Sequence, residues 1–188
     1  MRSIVNLEGE TGWIWEGPEA PGFCMAPSIK SDGTGIRAMR LFAGVERLQA
    51  WIFEVDWDGN ITYEAPLPND NEGRRIVPHH ELDELPDGRR YYLGWEWREF
   101  PTGPGGAMEW AEGDIIQIFN PATGQVDWSW TLFDHFTPLN RPTPEEAIQA
   151  FSGFGSDWSH ANGIDWDPAN QIFWMSVRHF DALIGVEF

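Results

Sequence analysis

The chain reads as an all-β protein of β-propeller-like, four-stranded units, and three observations predict this. Short runs rich in β-branched and aromatic residues follow one another almost from end to end. The 20 Gly and 14 Pro in 188 residues demand many turns between them. Several of those turns are explicit: Ser31-Asp32-Gly33-Thr34-Gly35, Asp58-Gly59-Asn60, Pro86-Asp87-Gly88, Pro121-Ala122-Thr123-Gly124 and Asp167-Pro168-Ala169-Asn170. These residue types tolerate or preset turn dihedrals. Grouped in fours, the runs repeat, and each group's opening strand leads into an Asp-containing turn, the pattern of a propeller blade.

Taken in order, strands are predicted at 22–29, 36–43, 49–57 and 60–65, which form a first unit over about 22–65. A second unit, about 79–132, holds strands at 79–85, 89–97, 114–120 and 125–132. A third, about 160–188, holds 160–166, 171–178 and 182–188 and stops after three strands. The whole of 1–188 is thus expected to be one partial propeller domain, about three blades of a six-bladed ring, with a β-sandwich as the alternative. One short helix is expected in the loop before the third unit. There Thr143 as N-cap, Pro144 at the first helical position and Glu146 form a capping box before Ala147-Ile148-Gln149-Ala150-Phe151, and Gly153 and Gly155 end it.

Charge narrows the partners. With 30 acidic against 12 basic residues the net charge is −18, and Lys30 is the one lysine. Such a surface repels nucleic-acid phosphates and anionic membranes, so neither is expected as a partner. An anion would need a local positive pocket, for which Arg178 and the pairs Arg74/Arg75 and Arg89/Arg90 are the sources. Cys24 is the sole cysteine, which rules out an intrachain disulfide and a zinc-type cysteine cluster, and it reads as a small buried residue. Met1 to Gly17 has no apolar run of signal-peptide length, and no segment is long enough to span a bilayer. As given, the chain is expected to be soluble: cytoplasmic if complete, exported if an upstream segment precedes it.

The richest stretch runs from Asp157 to Arg178. A hairpin centred near residue 169 sets position 178 opposite position 160, bringing His160, Asn162 and Arg178 to one end. A guanidinium fork with directed amide and imidazole groups suits a tetrahedral oxyanion such as sulfate or phosphate. The plainer reading is a pair of turn caps beside a solvated arginine. If the opening strand of each unit lines a central channel, His79, His80, His160 and Asn162 share that funnel. Strand alternation sends His79 and Glu81 to one face and His80 to the other, so no metal site is expected, and no cofactor. His135 reads as a loop histidine bonded to nearby backbone. Trp95, Trp97, Trp128, Trp130, Trp158 and Trp174 read as packing residues before aryl-stacking ones.

The segments His79-His80-Glu81-Leu82-Asp83-Glu84-Leu85-Pro86-Asp87-Gly88-Arg89 and Asp157 to Arg178 resemble the signature segments of the arylsulfotransferase family. Phe119-Asn120-Pro121-Ala122-Thr123-Gly124-Gln125-Val126-Asp127-Trp128-Ser129-Trp130 is similar to that family's tGxvxWxW blade strand. The resemblance covers roughly residues 49–188, in motif and in order. It implies a six-bladed propeller that moves a sulfuryl group from a phenolic sulfate ester to a phenol through a sulfohistidine, in a ping-pong cycle without a nucleotide donor. Carried over by position, His80 matches the histidine of the His-Asp/Glu motif, with His79 next in register as a substrate-binding alternative. His160, Asn162 and Arg178 match the sulfate-holding trio. This makes His80, His160 and Arg178 the catalytic candidates and Asn162 a substrate-binding one. The family's nucleophilic histidine lies on a later blade, whereas this chain ends ten residues after Arg178. The expectation is therefore a fragment lacking the nucleophile, completed by a missing C-terminal half or a second copy. His179 is expected on the opposite strand face, a poor substitute. The alternative function is a non-catalytic propeller module that binds an anionic or aromatic ligand or a protein.

Overall fold

The computed structural model describes residues 2–5, 11–15, 23–43, 48–68, 76–101, 105–138 and 156–188. The chain divides into two compact units, Met1–Leu67 and Pro68–Phe188. In the first, β1 (Arg2–Val5) and β2 (Thr11–Trp15) form an antiparallel hairpin that the sequence did not announce. The strands β3 (Phe23–Ile29), β4 (Gly35–Ala43), β5 (Leu48–Asp56) and β6 (Ile61–Pro66) follow as a four-stranded antiparallel meander in chain order.

Strand β4 is buried on both faces from Ile36 to Leu41, so its inward charges must find partners. Arg37 pairs in register with Glu54 on β5, and its Nε donates to Glu54 Oε1 at 3.0 Å. Lys30 Nζ lies 3.6 Å from the other oxygen of the same carboxylate. The β3–β4 turn closes through Asp32, which accepts from the Thr34 N–H at 2.9 Å and its hydroxyl at 2.7 Å, while Gly33 takes φ +69°, a conformation that favours glycine.

The second unit holds two sheets. Strands β7 (Val77–Glu84), β8 (Arg90–Pro101), β9 (Met108–Asn120) and β10 (Gln125–Thr131) again run as an antiparallel meander in chain order. Strand β10 pairs with β9 only over Ile115–Asn120. Alongside the earlier part of β9, the short β11 (Ser156–Asp157) pairs in parallel with Ala111 and Glu112. From there the chain enters the next sheet: β12 (Ala161–Asp167), β13 (Ile172–Val177) and β14 (Ala182–Glu187), in that order. The two sheets share one core in which Tyr91, Leu93, Ile116, Trp158, Phe173 and Met175 are all buried. Trp128, from the motif-like strand β10, stacks on Phe173 of β13 with centroids 6.0 Å apart, a packing role of the kind expected for the tryptophans.

The fold is all-β, with propeller-like antiparallel blades. Among the described residues the helical pieces include two 3₁₀ turns, Leu132–Asp134 and Arg178–Phe180. The helix expected at 143–151, the Cys24 side chain and the Arg74/Arg75 pair lie outside the described residues.

Candidate functional site

Two histidines occupy like positions at the opening strands of successive sheets. His80 lies in β7 and His160 immediately before β12, and both have φ +52°. Positive φ is uncommon for a residue with a Cβ and concentrates at functional sites. Each strand is bulged at this point. The β7–β8 register shifts between His79 and Leu82, and the β12–β13 register shifts between Ala161 and Gly163. A bulge re-aims side chains out of simple alternation. His80 emerges exposed, whereas His79 is fully buried. His79 therefore does not line an open funnel, contrary to its expected place there. Its ring stacks on Trp95 at 4.3 Å with planes 15° apart.

The residue that holds these segments together is Asp114 of β9, which sequence reasoning missed. It is fully buried. Its Oδ2 accepts from the Ser159 hydroxyl at 2.5 Å and the Ala161 N–H at 2.7 Å. Its Oδ1 lies 2.9 Å from His79 Nε2, close but off the alignment of a full hydrogen bond. Burial works to raise the Asp114 pKa. The close His79 ring and the bonds from Ser159 and Ala161 outweigh it and hold the carboxyl below its ordinary value. The other nitrogen of His79 faces His80, Nδ1 to Nδ1, at 2.8 Å. Burial first, then the neighbouring His79 and His160, push the His80 pKa below its ordinary 6.5, with Asp114 acting in the opposite sense.

A second carboxylate–imidazole pair stands on the next sheet. His160 Nδ1 bonds Asp157 Oδ2, and its Nε2 is 3.5 Å from an Arg178 terminal nitrogen. A guanidinium only donates and a carboxylate only accepts. The His160 proton thus sits on Nδ1, with the Nε2 lone pair toward Arg178. The backbone closes the same corner, for the Arg178 and His179 N–H groups donate to the His160 and Ser159 carbonyls, both at 3.1 Å.

The expected pairing of 160 with 178 is present, but by a different count. From Gly163 onward the paired numbers sum to 339, and the extra residue at the β12 bulge restores 338 at Ala161 and Val177. The expected place of His179 is corrected. Strand β13 ends at Val177 and a 3₁₀ turn follows, so alternation no longer applies. The His179 ring lies 5.1 Å from that of His160, and its Nδ1 is 3.0 Å from the Asp157 carbonyl oxygen. Asn162 sits exposed on the β12 bulge. Glu81 approaches β12 at Gly163 instead of following His79 into the core. Burial, Asp83 and Asp165 raise its pKa.

Ligand-capable atoms of Asp157, His160 and His179 lie within 4.8 Å of one another, but the guanidinium beside His160 repels a cation and favours an anion. An aromatic cavity of about 660 Å³, walled by Phe133, Phe136, Trp158 and Phe180 among others, flanks this corner. None of the expected site residues lines it. His135 also stands there, stacked on Trp130 at 4.7 Å.

Residues 29–188 match the family model described as Arylsulfotransferase (ASST). No curated protein matches the chain.

Proposed function

Because this chain belongs to the arylsulfotransferase family, we propose that its His80, His160, Asn162 and Arg178 form the sulfuryl-holding and proton-handling part of a site that moves a sulfuryl group from a phenolic sulfate ester to a phenol. In net terms the donor S–O(aryl) bond breaks and the donor leaves as a phenol. A new S–O(aryl) bond forms on the acceptor, whose hydroxyl proton is released. Family membership supports the sulfotransferase class. The Asp157–His160–Arg178 corner is the observation that supports this choice of residues.

The chemistry fits those groups. Charge builds on the sulfuryl and bridging oxygens as the phenolate departs, and fixed donors aimed at those oxygens lower the barrier. Arg178 supplies the permanent charge, and His160, held by Asp157, is oriented before substrate arrives. The depressed pKa of His80 leaves it unprotonated near neutral pH, able to take the acceptor's proton. Whether the sulfuryl group rests on a histidine between donor and acceptor belongs to the same proposal. Its test is to incubate the chain with p-nitrophenyl sulfate and a phenol acceptor and follow p-nitrophenolate. The expected result is acceptor-dependent release that falls on the order of 100-fold in His160→Ala and Arg178→Ala. Release unchanged in both variants contradicts the site. Ester binding with no release in the parent chain is the outcome expected of a piece lacking the nucleophile and of a non-catalytic binding module alike.

A further inference from the structure

We propose that Asp114 is a positioning residue of this site: through His79 it selects which nitrogen of His80 faces the substrate. The inference rests on the sulfuryl-transfer reading for its purpose, but its geometry stands apart from it. Asp114 and His79 are both fully buried, and neither can touch a substrate directly.

Asp114 Oδ1 stands 2.9 Å from His79 Nε2, off full hydrogen-bond alignment, and a carboxylate oxygen so close repels a lone pair and favours a proton on that nitrogen. With that proton on Nε2, the neutral His79 ring has a lone pair on Nδ1. The Nδ1 atoms of His79 and His80 stand 2.8 Å apart, and two nitrogens at that distance bond only if one donates and the other accepts. His80 is therefore the donor, through Nδ1–H, and its Nε2 is left with the lone pair. In water a free histidine favours the opposite tautomer, so the selection must come from the partners. Trp95 stacks on the His79 ring and stops it from flipping, while Ser159 and Ala161 hold the other oxygen of Asp114.

The consequence is a line for one proton. The acceptor phenol gives its proton to His80 Nε2 as its oxygen bonds to sulfur and the sulfuryl group's earlier bond breaks; the donor phenolate takes its proton from solvent, and the histidines later return one there. The His80 Nδ1 proton can then pass to His79 Nδ1, and the cation so formed lies against the buried Asp114 carboxylate. No proton is lost or gained along the line. The charged and titratable groups acting on His80 are His79, His160 and Asp114, and replacing Asp114 by a neutral group removes the one that raises its basicity.

The test is ¹⁵N NMR of the histidine rings in the full chain at slightly alkaline pH. His80 is expected as the Nδ1–H tautomer with an unprotonated Nε2, and Asp114→Asn is expected to shift it toward Nε2–H. In the transfer assay, Asp114→Asn should lower kcat on the order of 100-fold and move the acid limb of the pH profile to lower pH. A His80 that carries its proton on Nε2 in the parent chain overturns the proposal even if the variant fails to fold. So does an Asp114→Asn chain with an unchanged tautomer and pH profile. If the parent chain neither transfers nor binds a sulfate ester, the sulfuryl reading fails, and the tautomer still decides the role of Asp114.

Discussion

Exposed His80 and half-buried His160 are each backed by a carboxylate, one through a second ring and one directly. Asp157 grips His160 itself, whereas Asp114 acts on His80 by way of His79. This arrangement has a thermodynamic signature. The folded-state pKa of His80 lies below 6.5, so above that pH the ring is neutral in both states and its full contribution is present. As pH falls below 6.5 the unfolded chain takes up a proton that the folded chain refuses, and stability declines until the folded pKa is passed. Asp114 acts in the same direction but only below about 3.8, its ordinary value. Urea unfolding between about pH 8 and about pH 5 should therefore show stability falling toward acid, with a shallower slope in His80→Asn. An identical slope in that variant assigns the acid sensitivity to other groups. At this scale His80, His160, Asn162 and Arg178 stood out as candidates because they fall in the segments that resemble the family's motifs. Asp114 did not, since one aspartate among 30 acidic residues gives no sign that it is among the few that are buried.

Most strands were legible nearly to their ends, because period-two runs and Asp/Gly turns are local signals, but β8 runs on to Pro101 and β9 starts at Met108, well outside the expected 89–97 and 114–120. The β4–β5 pairing shows how closely they fit. A Cβ on Gly35 would stand 2.0 Å from the Val55 carbonyl oxygen, a backbone atom that cannot swing aside. Gly35→Ala should destabilise the chain by about 1–3 kcal/mol, read as a lowered urea midpoint, and an unchanged midpoint would mean the β4–β5 approach is looser than described. The bulges and β11 were hidden from the sequence for a physical reason. A bulge is set by which residues meet across strands, and β11 exists because β10 leaves β9 uncovered beyond Ile115. The same cause misplaced His179, since the end of β13 and its 3₁₀ turn depend on closure against Ser159 and His160. The hairpin β1–β2 was missed because Arg2–Val5 and Thr11–Trp15 are short and offer little periodicity.

For the molecule as a whole, the net charge of −18 opposes a sulfate ester at long range, yet screening confines that repulsion to roughly 8–10 Å at ordinary ionic strength. Within that distance the local donors decide, and Arg178 is the charged one among them. Calorimetric titration of p-nitrophenyl sulfate into the parent chain and into Arg178→Ala, at one fixed salt concentration, measures this directly. Saturable binding is expected in the parent, with affinity at least about tenfold weaker in the variant, about 1.4 kcal/mol. Equal affinity in the two chains would contradict this and remove the sulfuryl group from this corner.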